Sequence, residues 1–135
     1  MAYKIIDIQG VGPAYAEKLI AVGITTINQL LEAGKTSKGR KALEDKTGIN
    51  GKLILTWVNH ADLIRIKGVG PQFSELLEAA GVDTVKELAH RKADNLEKTM
   101  IEVNEKEHRT KRVPTAGELQ KMIDQAKALP AVVEY

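Results

Sequence analysis

Gly10-Val11-Gly12-Pro13 and Gly68-Val69-Gly70-Pro71 are the residues of this chain whose types and spacing suit a definite chemistry, the binding of an anion. Two glycines let a backbone approach a ligand with no Cβ in the way, and proline at the first position of a helix marks where neighbouring amides lack intrahelical acceptors. Such amides, backed by the partial positive charge of a helix N-terminus, hold phosphate well. The donors expected from this pattern are the N–H groups of Gly10, Val11 and Gly12 in one copy and of Gly68, Val69 and Gly70 in the other. Lys18, one turn into the first helix, and Arg65 and Lys67 beside the second copy could add charge. The supply is uneven: Leu76 stands where Lys18 would recur, Gln9 where Lys67 would, and Glu17 and Glu75 place carboxylates nearby. The second copy is the stronger candidate. Gly-Val-Gly is also a structural solution where two helices meet at a tight angle, so phosphate binding and pure scaffolding both stand as readings of the motif.

The two copies are positioned by matching elements. Gly10, Gly12, Pro13, Glu17, Gly23 and Leu30 each recur 58 residues later, as Gly68, Gly70, Pro71, Glu75, Gly81 and Leu88, which signals duplication of a helical unit. Gly12 and Gly70 fall where an N-cap belongs. The helix then runs toward Val22, with Tyr15 and Leu19 on one face, as Phe73 and Leu77 are in the second copy. Gly23 and Gly81 end these helices, and Ile24 and Val82 supply the apolar contact beyond the cap. Thr26 with Gln29, and Thr84 with Glu87, each read as a capping box opening a further short helix.

Beyond the hairpins the repeat weakens but continues. Ser37 is expected to cap a helix through 40–46 that ends at Gly48, and 94–104 fills the same place in the second half. Asn50 caps a helix through Trp57 to Ala61, and Thr115 with Glu118 opens one through Met122 to Ala126. These last two segments lie 65 residues apart instead of 58, so the second half carries a 7-residue insertion, assigned to the loop His108 to Pro114. Trp57 and Met122 become equivalent core positions. Tyr3 to Asp7 and Ala61 to Arg65 read as the short first helices of the two hairpins, with His60 and Asp62 capping the junction that precedes the second. The expected fold is all-α: a first unit over 1–60, a second over 61–128, packed as one compact domain, and a tail over 129–135 that is frayed or docks as an arm.

With these residues in hand, Ile-x-Gly-Val-Gly-Pro followed by a small residue, Leu and Gly-Ile or Gly-Val resembles the helix-hairpin-helix motif of DNA repair proteins, ligases and recombinases, a SAM-like helical fold. The whole chain also resembles a bacterial family of unknown function built on tandem helix-hairpin-helix units, through 53–71, Arg112-Val-Pro114 and 123–127. The resemblance implies that the hairpin amides lie on DNA phosphates, a contact that is largely independent of base sequence and weakens with salt.

Composition narrows the remainder. The chain has 135 residues, a net charge of +2 and no cysteine, which excludes disulfides and thiolate metal sites and requires any nucleic-acid contact to come from a local basic face. No apolar run approaches the roughly 20 residues that span a bilayer, and the N-terminus lacks the features of a signal peptide, so a cytoplasmic protein without a membrane partner is expected. Two basic clusters, 35–41 and the denser Arg109, Lys111 and Arg112 in the inserted loop, could meet phosphates, although runs of this kind are commonly solvated surface. His60, His90 and His108 show no ligand spacing, so no metal is expected. No Walker-type lysine follows the glycines, one Trp and one Phe offer few stacking platforms for single strands, and no cofactor or catalytic residue is expected. The function expected is non-enzymatic, sequence-independent binding of double-stranded DNA. The alternative is a protein-interaction or adaptor module, with an unidentified protein partner, whose hairpins are structural.

Overall fold

In a computed structural model of the chain, residues 3–8, 10–108 and 110–134 are described. Eight α-helices and no strand lie among them, and 67% of the described residues are helical. The backbone divides into two compact units, Met1–Asp62 with Val132–Tyr135, and Leu63–Ala131. Among the described residues no helix is long and apolar enough to cross a membrane, and no group of three or more His, Asp or Glu side chains is arranged to hold a metal ion.

The first unit begins with a 3-10 turn, Ile5–Asp7, whose start is closed by the Asp7 carboxylate accepting the Lys4 N–H at 2.9 Å. Lys4 pairs with Thr26 as an isolated antiparallel bridge, so this stretch is part extended and part 3-10 instead of a short α-helix. The helices that follow are α1 (Pro13–Ala21), α2 (Ile27–Gly34), α3 (Ser37–Thr47) and the start of α4 (Gly51–Ile64). Gly23, at φ +87°, turns the chain out of α1, and the Ile24 N–H returns to the Leu19 carbonyl at 3.0 Å, which carries the Ile24 side chain into the core. The box at Thr26 and Gln29 is complete. The cap of α3 is Thr36 and not Ser37: Thr36 keeps the extended backbone an N-cap requires and its Oγ1 accepts the Gly39 N–H at 3.0 Å, while Ser37 is already helical.

α4 corrects a second expectation. It runs unbroken from Gly51 to Ile64, so Ala61 to Arg65 does not form a separate short helix, and His60 and Asp62 lie inside one helix where a junction was expected. No Gly or Pro interrupts it after Gly51, and every residue from Trp57 to Ile64 is buried. Asn59, His60 and Asp62 lie buried within that stretch, and each is engaged, as buried polar groups must be. Trp57 meets the Tyr15 ring of α1 edge-on, with centroids 5.2 Å apart. Val58 lies under the end of α2, where a Cβ on Gly34 would come 2.5 Å from Val58 Cγ2.

The second unit is built from α5 (Pro71–Ala79), α6 (Val85–Ala89), α7 (Ala93–Glu107) and α8 (Ala116–Ala128). α8 packs on both α6 and α7, and α5 on α7, around a core that includes Leu77, Leu88, Leu96, Met100, Leu119 and Ile123. Thr84 caps α6 through the Glu87 N–H, but the Glu87 carboxylate is turned to Arg91 Nε at 3.1 Å instead of closing a box. Thr115 and Glu118 form a full box at α8. Glu118 also receives both terminal nitrogens of Arg112 at 2.8 Å, and the Arg112 guanidinium stands 5.8 Å from the centre of the Phe73 ring.

Two outcomes follow. Gly34→Ala gains about 1 kcal/mol of helix propensity at most, yet forcing a methyl against Val58 costs about 1–3 kcal/mol. The urea midpoint should therefore fall; an unchanged or higher midpoint would mean that Val58 gives way freely. The Arg112 hydrogen bonds, assisted by the Thr115 N–H, hold the Glu118 carboxyl down to about 2 from its ordinary 4.5. A carboxylate lowered in the folded state contributes stability above its unfolded pKa and loses it as pH falls through the folded value. Glu118→Gln should thus flatten the acid limb of stability between pH 4.5 and 2, measured by thermal melts against pH, and leave the slope above pH 5 unchanged.

Candidate functional site

Each Gly-Val-Gly-Pro segment forms a turn that leads into a helix. In the first, the Val11 N–H donates to the Ile8 carbonyl at 3.1 Å, and Gly10, third residue of that turn, takes φ +92°. In the second, the Val69 N–H donates to the Ile66 carbonyl at 3.0 Å, and Gly68 takes φ +96°. Positive φ at the third residue, as in a type II turn, is a conformation that glycine adopts at no steric cost. Buried side chains anchor both turns: Ile8 and Val11 in one, Ile66 and Val69 in the other.

The second glycine of each segment has a different standing. Gly12 (φ −79°, ψ 177°) and Gly70 (φ −98°, ψ −177°) are extended N-caps of α1 and α5, a conformation open to any residue. A Cβ on Gly12 would meet nothing within 4 Å. Neither cap has a side-chain hydrogen bond, whereas α2, α3, α6 and α8 each begin with a threonine whose hydroxyl accepts from the first turn. The first intrahelical bonds are Ala16 N–H to the Gly12 carbonyl and Ser74 N–H to the Gly70 carbonyl, both 2.9 Å. Pro13 and Pro71 carry no N–H, so the first turns of α1 and α5 present the amides of Ala14 and Tyr15, and of Gln72 and Phe73, beside a bare cap.

The structure thereby revises the expected donor set. Val11 and Val69 spend their N–H groups inside the turns and their side chains inside the core, which leaves the amides of Gly12 and Gly70 as the candidates among those expected. Gly10 and Gly68 shape the turns.

Two of the expected cations are engaged elsewhere in the fold, and three others are exposed. Arg65 Nη2 donates to the Pro130 carbonyl at 2.9 Å. Arg112 is taken by Glu118 and Phe73. Lys111 is exposed in the loop after α7, and Arg109 lies outside the described residues, as does Gln9. Lys18 is exposed in the last turn of α1, about 7.5 Å along the helix axis from Pro13. Lys67 presents an exposed side chain at the second turn, and of the residues selected from the sequence it is the cation that sits in a hairpin itself. In the other basic cluster, Arg40 is buried, Lys35 pairs with Glu32 at 2.8 Å, and Lys38 and Lys41 remain exposed.

One residue that shapes the second hairpin was not selected from the sequence. Gln125, on α8, accepts the Lys67 N–H through Oε1 at 3.0 Å and donates Nε2 to the Lys67 carbonyl at 3.2 Å, clamping both main-chain groups of the residue ahead of Gly68. Below the glycine, Met122 Cε lies 3.2 Å from where a Gly68 Cβ would be; under Gly10 the corresponding place is filled by Trp57 Nε1, at 3.5 Å.

No curated protein and no solved structure matches the chain. A family model does, over residues 9–129, a span that takes in both hairpins and all eight helices. The chain belongs to the family described as a domain of unknown function (DUF4332).

Proposed function

We propose that the chain is a tandem helix-hairpin-helix protein, arisen by internal duplication, that binds duplex DNA without sequence preference through the backbone amides at Gly12 and Gly70. The duplication is supported by geometry at matched offsets. Gly10 and Gly68 share one positive-φ turn, Gly23 and Gly81 share another, and the side chains beneath the first pair, Trp57 and Met122, stand in register through the later offset of 65. The observation that carries the function is the use of glycine at two N-caps whose conformation does not call for it. Threonine in those places would satisfy an amide internally, as it does in four other helices of the same chain; glycine leaves the amides and the space in front of them to an external acceptor.

The grip is a backbone one, because charge contributes little. Residues 1–62 with 132–135 hold eight Lys and Arg against seven Asp and Glu, and residues 63–131 hold twelve against eleven. Counterion release of about 0.9 per phosphate belongs to contacts made by Lys or Arg, so a grip by neutral amides should show a shallower salt dependence than that for each phosphate held.

A second reading rests on a different surface. An apolar cavity of about 360 Å³ in the first unit is lined by Ile5, Ile6, Ala16 and Ile20, and Ile6 and Ile20 are 48% and 52% exposed. The residue 58 positions after Ile20 is the charged, exposed Glu78, so the fold does not require an apolar side chain there. This face suits a protein partner and favours the adaptor function.

Titration of the Gly12→Asp, Gly70→Asp double variant against a random duplex at two salt concentrations separates these readings. Aspartate is a favoured N-cap and both positions have ordinary φ, so the unfolding midpoint should hold or rise. Duplex affinity should drop at least about tenfold, equivalent to 1.4 kcal/mol, as a carboxylate replaces the phosphate. Unchanged affinity in the folded variant would overturn the amide assignment and leave the Ile6 and Ile20 face as the surface to pursue.

A further inference from the structure

The end of α2 is capped by residues distant in sequence. α2 closes at Gly34, with Lys35 as C-cap, and the last carbonyls of a helix have no intrahelical donors. Arg40, only 8% exposed, donates Nη1 to the Gly34 carbonyl at 2.9 Å. That bond orients the guanidinium and directs Nη2 to the Glu134 carbonyl at 2.6 Å. The Glu134 N–H in turn donates to the Lys35 carbonyl at 2.7 Å. One residue of an extended arm is thus held by both of its main-chain groups, between a helix-end carbonyl and a buried arginine. Val132 and Val133, half-buried, precede it, while Glu134 itself is exposed.

We infer that this notch, formed by Gly34, Lys35 and Arg40, is a binding site for an extended peptide recognised through its main chain, and that residues 132–134 are its resident ligand. The donor and the acceptor are spaced to take the N–H and C=O of a single residue, as an added β-strand would offer them. Both hydrogen bonds go to the backbone, so the residue at position 134 can vary while half-buried apolar side chains occupy the two places before it. Burial of Arg40 keeps water from competing for Nη2, and a guanidinium supplies two donors in a fixed fork where lysine would supply a mobile point charge. The arm remains in place through covalent attachment, which for a short tether acts as an effective concentration on the order of millimolar. A free peptide of the same kind therefore competes when it reaches that range.

Amide exchange on the isotopically labelled full chain tests this, with the unlabelled peptide Ala-Val-Val-Glu-Tyr as competitor. Without peptide, the Glu134 N–H should be protected. At millimolar peptide the arm should be displaced about half the time, bringing Glu134 exchange within about twofold of the rate for an unstructured chain while the amides of the second unit are unaffected. A peptide with Glu134→Ala should compete within about twofold of the parent, and one N-methylated at Glu134 should not compete. Three results would overturn the inference: a Glu134 amide that exchanges freely in the protein alone, no displacement at ten times the millimolar range, or equal competition by the N-methylated peptide.

Discussion

A backbone that turns at positive φ directly above a core side chain is the constraint on which both Gly-Val-Gly-Pro turns rest. Gly10 lies over Trp57 and Gly68 over Met122, each so close that an added Cβ would touch the side chain beneath. A residue other than glycine there meets backbone strain and contact at once. The turn so fixed sends Val11 and Val69 into the core and the next glycine to the start of a helix. What the hairpin offers to solvent is therefore set from below, by α4 in the first unit and α8 in the second, with Gln125 fixing the Lys67 main chain as well.

The glycines of one short motif consequently divide their work. Gly10 and Gly68 answer to conformation. Gly12 and Gly70 keep an extended backbone open to any residue, and the proposed phosphate contact rests on that freedom, set against the threonine caps elsewhere. The charged residues run the opposite way. Arg65, Arg112 and Arg40 stood out in sequence as positive charge, and each is used by its own unit, on Pro130, on Glu118 and Phe73, and on Gly34 and Glu134. A guanidinium can satisfy several carbonyl or carboxylate oxygens at once, which suits it to closing loops and arms as readily as to meeting phosphate.

How much of this was legible in the sequence follows from the range of each interaction. The helix starts at Pro13 and Pro71, the boxes at Thr26 and Thr115, and the stops at Gly23, Gly48 and Gly81 rest on neighbours a few residues apart, and they could be read directly. Thr36 was passed over for Ser37 because adjacent hydroxyl residues compete for one cap and the choice lies in the backbone. The break expected near Ala61 came from matching Ala61 to Arg65 with the first hairpin; α4 overrides the match since its second half is buried on every side and no residue there ends a helix. The roles of Gln125 and Arg40 were out of reach, because their partners lie 58 and 94 positions away and neither residue type announces a main-chain partner.

The bond from Arg40 to the Glu134 carbonyl also bears on the order in which the chain can be assembled. Most contacts within helical units are local, and units rich in local contacts fold fast. The first unit breaks that pattern at one place, since the notch at the end of α2 is completed by a segment synthesised after the whole of the second unit. During synthesis, at about 5–20 residues per second, Arg40 and the Lys35 carbonyl wait several seconds without this partner, while the helices around them can already form. A site in the first unit is thus finished only after the second unit has been made.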